Sequence, residues 1–168
     1  FAPPRQITAG EDGRFRPIIY ADAFFETALG PKKISDFTDH PELKDSLGPR
    51  SKNGWGIVIV KKGRKPEYTY GSIPAHFLER IQQKKTYIFL LEVLAQCLAL
   101  WLHGSEIRGH YWSFVDNVGA RFALTRGYSK DRDANAVIAL FWMSTLNQGV
   151  APWFEHVPST AQLADAVS

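Results

Sequence analysis

The sequence predicts an α/β protein: a five-stranded mixed sheet flanked by helices. Three observations predict it. Five short runs rich in β-branched or aromatic residues, at 16–20, 54–60, 67–71, 111–115 and 153–157, read as strands. Two of them flank a Gly/Pro turn and form a hairpin. The others alternate with longer segments of helical periodicity, giving the order β, β-hairpin, α, β, α, α, β, α.

Residues 1–15 hold two Pro and two Gly among mixed charges and read as an arm; residues 16–168 form the domain. Arg16-Pro17-Ile18-Ile19-Tyr20 is a buried strand ending at Ala21-Asp22. The pattern then dissolves over 24–53, where Pro31, Pro41 and Pro49 recur with scattered charges, so a long irregular insertion is expected. Residues 54–60 are a β-branched strand, turning through Lys61-Lys62-Gly63-Arg64-Lys65-Pro66 into the strand at 67–71. Pro74 opens a short helix to about residue 81.

Residues 87–102 form the clearest helix, with Leu91, Leu94, Ala95, Leu98 and Leu102 on one stripe and Gly104 as its stop. The strand at 111–115 ends in Asp116-Asn117, followed by a helix to Arg126 that Gly127 stops. A further helix spans about 131–147, with Ala134, Val137, Ile138, Phe141 and Thr145 buried and Asp131 and Asp133 favouring its dipole. The last strand, 153–157, closes at Pro158, and 163–168 begins a helix.

Composition excludes several classes of function. Apolar residues make up 45% and charged residues 22%, ordinary for a globular domain. The single Cys97 excludes an internal disulfide framework and a multi-cysteine zinc site, and an intracellular domain is expected. Glu92, Gln96 and Cys97 interrupt the most apolar run, so no membrane span is expected. Phe1-Ala2-Pro3-Pro4 has neither a starting Met nor a signal-peptide layout, so the chain reads as a cut fragment. A net charge of +3 does not by itself argue for nucleic acid.

Four acids stand where packing would not put them. Asp22 and Asp116 each follow a strand, and ligands bind at the carboxyl ends of strands in open α/β sheets. Glu92 interrupts the most apolar helix, and Asp165 sits among small apolar neighbours in Leu163-Ala164-Asp165-Ala166-Val167. Taken singly, Asp22 is equally a turn residue, Asp116-Asn117 a helix cap, Glu92 a solvent-facing position and Asp165 a helix-dipole partner. If the four converge, their repulsion demands cations between them, and hard oxygen ligands suit Mg²⁺ or Mn²⁺.

In order and surroundings these acids resemble the ribonuclease H domain of retroelement reverse transcriptases. Ile19-Tyr20-Ala21-Asp22-Ala23 looks like that family's first-strand motif, and Asn53-Gly54-Trp55-Gly56 like its second strand. Leu91-Glu92-Val93-Leu94-Ala95 is similar to its first-helix motif, and Val115-Asp116-Asn117 to the end of its fourth strand. The stretch from His156-Val157-Pro158-Ser159 through Gln162-Leu163-Ala164-Asp165 to Ser168 resembles its closing motif, with Ser159 where Gly is usual and Gln162 where Asn is usual. That closing motif points to gypsy-like or tyrosine-recombinase elements. The basic helix-and-loop handle of cellular enzymes has no counterpart between Gly127 and Asn147.

The resemblance implies a ribonuclease H-like fold and hydrolysis of the RNA strand of RNA–DNA hybrids. It implies two Mg²⁺ ions (or Mn²⁺) held by Asp22, Glu92, Asp116 and Asp165, and a polymerase domain of the same polyprotein as partner. His156 is a candidate auxiliary catalytic or product-release group, with a structural role as the other reading. Asn117 is a candidate for the RNA strand. Lys61, Lys62, Arg64 and Lys65 on the hairpin turn, and Arg121 and Arg126 on the middle helix, are candidates for phosphates; the turn reads equally as a solvated edge. The alternative function is a non-catalytic scaffold of the same fold, motivated by the long insertion.

Overall fold

The structure is a computed structural model, and it describes residues 16–25, 53–74, 76, 87–107 and 109–166. Five strands, β1 (Ile18–Phe25), β2 (Asn53–Val60), β3 (Glu67–Ser72), β4 (Gly109–Val115) and β5 (Val150–His156), form one sheet in the order β3-β2-β1-β4-β5. β1 pairs antiparallel with β2, and β2 with β3; β1–β4 and β4–β5 are parallel. The mixed sheet with flanking helices expected from the sequence is therefore present.

Helix α1 (Tyr87–His103) lies against β1, with α2 (Val118–Arg126) and α3 (Arg132–Gln148) packed beside it. Ile19, Ala21 and Ala23 of β1, Ile57 and Ile59 of β2 and Tyr111 and Val115 of β4 meet Leu90, Leu91, Val93, Cys97 and Leu100 of α1 in one core. The period of two along each strand supplies one face of this core, and α1 supplies the other.

Several elements differ from their sequence expectation. β1 continues past Tyr20 to Phe25 because its ladder with β2 runs on through Asp22↔Gly56 to Phe25↔Asn53. Asp22 therefore lies within a strand rather than after one, and the strands take in both ends of the expected insertion. β2 makes room for this: a Cβ on Gly54 would come within 2.5 Å of the Phe24 ring. The stripe expected on α1 is too narrow. Leu91 and Ala95 are buried and Leu94 and Leu98 half-buried, whereas Leu102 is 46% exposed, since the helix is wedged between sheet and α3 and buries more than one face.

β5 begins at Val150 and tolerates Pro152 because it is an edge strand. Leu163–Ala166 is a single 3₁₀ turn, not the start of an α-helix, and it follows another at Ser159–Ala161. The expected helix after Pro74 and most of the insertion lie outside the described residues.

Asp131, expected with Asp133 in the first turn of its helix, is instead the N-cap of α3 and accepts from the backbone N–H of Asp133 and Ala134. Gly127 stops α2 with a left-handed φ of 77°. By length and composition, Ile88–Glu106 is apolar enough to cross a membrane, yet 61% of that stretch is buried inside the protein, as befits a core helix.

Candidate metal centre

The topology sets where the acids meet. β1 and β4 pair only over Ile18–Tyr20 and Trp112–Phe114, and beyond that register the two strands part. Asp22 stands on β1 just past the fork, and Asp116 directly follows β4. The turn Leu163–Ala166 packs against β1 and β2 and brings Asp165 to the same place, anchored by the fully buried Ala164. A carboxylate oxygen from each of Asp22, Asp116 and Asp165 lies within 4.8 Å of the others.

Glu92, on the second turn of α1, is only 4% exposed and shares a hydrogen bond with Asp22. Burial, and then the charge of Asp22, push its carboxyl up to about 11. Burial also raises Asp22, to about 8, with the Asp165 carboxylate beside it adding to the shift. Without a counter-charge, burial and neighbouring carboxylates favour the protonated forms of Asp22 and Glu92. Oε2 of Glu92 is buried with no hydrogen-bond partner among the described residues. Three carboxylates within 4.8 Å of one another, with Glu92 hydrogen-bonded to Asp22 and its other oxygen orphaned, fit a hard divalent cation, which takes oxygen ligands and removes the repulsion.

Neighbouring groups orient Asp116. Asn117 takes the capping role, its Oδ1 accepting from Ala120 N at 3.0 Å, which leaves the Asp116 carboxylate out of the helix cap. The Ser159 hydroxyl donates to Asp116 Oδ2 at 3.0 Å. His156 Nε2 lies 3.1 Å from the Asp116 carbonyl oxygen. A carbonyl can only accept, so Nε2 carries the hydrogen and His156 tethers the backbone of Asp116.

The basic candidates divide. Arg121 and Arg126 both lie over the exposed Phe122 ring on α2, their guanidinium carbons 4.8 and 5.6 Å from its centroid. Nε of Arg121 is buried without a hydrogen-bond partner among the described residues. Lys61 is engaged elsewhere: its ammonium pairs with Glu67 at 2.7 Å and with Glu106, and these two carboxylates, Glu106 first, hold its pKa above the ordinary lysine value. Glu106 also meets His103, whose Nε2 is 3.2 Å from Thr69 Oγ1. Lys62, Arg64 and Lys65 are exposed, but the turn that carries them follows Val60. Val60 pairs with Ile18, four residues back along β1 from Asp22, which is roughly 13 Å of strand. The structure thus gathers the four acids with His156, Asn117 and the base of α2, and leaves the hairpin cations at the other end of the sheet.

Sequence reading missed Gln96 and Ser113 among the residues that hold this arrangement, and placed Ser159 and Gln162 only as members of the closing motif. Gln96 and Gln162 carry a visible signal, being polar positions inside apolar stretches, but their partners are backbone carbonyls that no motif reveals.

This sheet order with a carboxylate cluster at the β1–β4 fork defines a ribonuclease H-like fold. Solved structures with the same architecture include ribonuclease H1 from the halophilic archaeon Halobacterium salinarum, 16% identical with a TM-score of 0.57 over 90% of this chain and 93% of that one. The N-terminal ribonuclease H domain of a Mycobacterium tuberculosis protein is 13% identical with a TM-score of 0.55 over 90% and 92%. LC11-RNase H1, crystallised in complex with an RNA/DNA hybrid, is 16% identical with a TM-score of 0.56 over 89% and 91%. No family model matches the sequence, and neither does any curated protein.

Proposed function

We propose that this chain is a metal-dependent ribonuclease H that hydrolyses the RNA strand of RNA–DNA hybrids. The observation that carries the reading is the meeting of Asp22, Asp116 and Asp165 within 4.8 Å, beside the buried and part-orphaned Glu92. In this reading the four carboxylates hold two Mg²⁺ ions, with Mn²⁺ as a substitute. Bound there, such ions lower the pKa of an attacking water and stabilise the leaving oxygen of an in-line displacement.

The chain's own residues do the rest. Asp22 would be a ligand of both ions, Glu92 and Asp116 would hold the one that stabilises the leaving group, and Asp165 would hold the one that activates water. Ser159 fixes one oxygen of Asp116 and His156 fixes its carbonyl, so the carboxylate does not swing. With its Nε2 hydrogen on that carbonyl, His156 acts as a tether of the Asp116 backbone. Asn117 spends Oδ1 on the helix cap and offers its amide NH₂ toward a ribose 2′-hydroxyl, the group that separates RNA from DNA. Arg121 and Arg126 contact phosphates from α2.

The closing motif from His156 to Ser168, and the short connection between Gly127 and Arg132, favour a place in a retroelement reverse transcriptase polyprotein. There a polymerase domain supplies the remaining grip on the hybrid, and the domain acts inside the cell. The test is cleavage of a labelled RNA–DNA hybrid with Mg²⁺ or Mn²⁺, beside duplex DNA and duplex RNA, with and without the polymerase domain. Hybrid-only cleavage supports the reading. No cleavage with either metal in both forms overturns it and leaves the scaffold role.

A further inference from the structure

Where β1 and β4 part, carbonyls at the strand ends no longer meet N–H donors of the facing strand, and two glutamines take over. Gln96, 2% exposed and one helical turn after Glu92, donates through Nε2 to Ala21 O at 3.1 Å and to Phe114 O at 3.4 Å. Its Oε1 is fixed in turn by the hydroxyl of Ser113, buried to 1%, at 2.6 Å. Gln162 donates a second hydrogen bond to Ala21 O at 3.3 Å. A buried carbonyl needs a donor, and one primary amide has two hydrogens in a fixed plane, so Gln96 alone can bridge both strand ends.

The placement of this network is its main feature. Ala21 precedes Asp22, Ser113 and Phe114 precede Asp116, Gln96 follows Glu92 on α1, and Gln162 precedes Asp165. Each of the four acid-bearing segments thus contributes at least one member, and the β4 segment contributes two. Oε1 of Gln162 is buried without a hydrogen-bond partner among the described residues, a costly state that the residue bears while its NH₂ stays on Ala21. Simple satisfaction of one carbonyl does not require two buried amides converging on it.

We propose that Gln96 is a positioning residue of the acidic site: with Gln162 it sets the opening of the β1–β4 fork, and so the separation of the Asp22 and Asp116 carboxylates. The inference rests on the metal-dependent reading above. Gln96 touches neither substrate nor cation, and it acts through the backbone on either side of the fork. Ser113 enters as the anchor that keeps the amide in its plane.

The experiment is Mn²⁺ binding to the whole chain, read by electron paramagnetic resonance of the free ion, together with melting in EDTA. Variants are Gln96→Met, Ser113→Ala, which removes only the anchoring hydroxyl, and Phe141→Leu as a core change away from the fork. Outer partners of metal ligands are worth about 10- to 100-fold in affinity. Gln96→Met is therefore expected to weaken Mn²⁺ about tenfold, and Ser113→Ala to weaken it less, whereas Phe141→Leu lowers the melting temperature and leaves Mn²⁺ affinity at the wild-type value. In hybrid cleavage, Gln96→Met raises the Mn²⁺ concentration for half-maximal rate and leaves KM for the hybrid unchanged. Wild-type Mn²⁺ affinity in both Gln96→Met and Ser113→Ala overturns the positioning role alone, as does an equal loss in Phe141→Leu. A wild-type chain that binds no Mn²⁺ overturns the metal-dependent reading with it.

Discussion

Ser159 donates its hydroxyl to Oδ2 of Asp116 across 3.0 Å, joining the turn after β5 to the residue that ends β4. That hydrogen bond goes to a carboxylate and is charge-assisted when Asp116 is ionised. Ser159→Ala is expected to lower hybrid cleavage about tenfold, the lower end for outer partners of a metal ligand, with little change in fold stability. Because Ser159 is exposed, the loss should appear in kcat and in the Mg²⁺ requirement and not in the melting temperature.

Asp116→Asn keeps the shape and removes the charge. Cleavage is expected to fall by more than about a hundredfold, beyond the range for outer partners, while the metal-free protein becomes no less stable. The second half of this prediction follows from repulsion, since the charge of Asp116 helps raise both Asp22 and Glu92. Single-turnover kinetics and melting in EDTA check the two halves separately.

The metal-free protein should lose stability as pH rises. Asp22 and Glu92 have folded-state pKa values raised above those of the unfolded chain, to about 8 and about 11. The folded state therefore binds more protons than the unfolded one across that window, and stability, fully present below the ordinary carboxyl values, drops as those protons leave. In EDTA the melting temperature is expected to be lower at a pH of about 8.5 than at about 5.5. Mg²⁺ should restore it at the higher pH, and Asp22→Asn should flatten the dependence.

Lys61 is predicted to serve the fold and not the substrate. Its ammonium ties β2 to Glu67 on β3 and to Glu106 after α1. Lys61→Met should lower the melting temperature and leave KM for the hybrid at the wild-type value. A rise in KM without a change in melting would return the hairpin turn to the substrate surface.

Arg121 and Arg126 give the opposite expectation. Each phosphate contact contributes about 0.9 to the slope of log affinity against log salt on duplex DNA. Arg126→Ala should therefore weaken hybrid binding by the inactive Asp116→Asn chain and flatten its salt dependence by about one unit, with melting unaffected. A slope equal to that of the parent removes Arg126 from the interface.

The sequence by itself determined the order of the five strands and the three described α-helices, the glycine stop of α2 and which acids stand out among their neighbours. Gly127 acts through its own backbone and nearest neighbours, so local chemistry is enough to read it. The buried face of α3 is legible for the same reason: Ala134, Ile138, Phe141 and Thr145 repeat with the helical period. Tertiary structure alone decided what depends on distant partners. Pairing with β2 carries β1 past Asp22; the stacking of α3 on α1 buries more of α1 than its stripe suggests; and Lys61 meets Glu106, whose position no hairpin pattern contains. The site divides along the same line. That Asp22, Glu92, Asp116 and Asp165 are unusual is a property of their neighbours in sequence. That their oxygens converge is fixed by the parting of β1 and β4 and by the two glutamine amides in the fork, contacts between segments that only folding brings together.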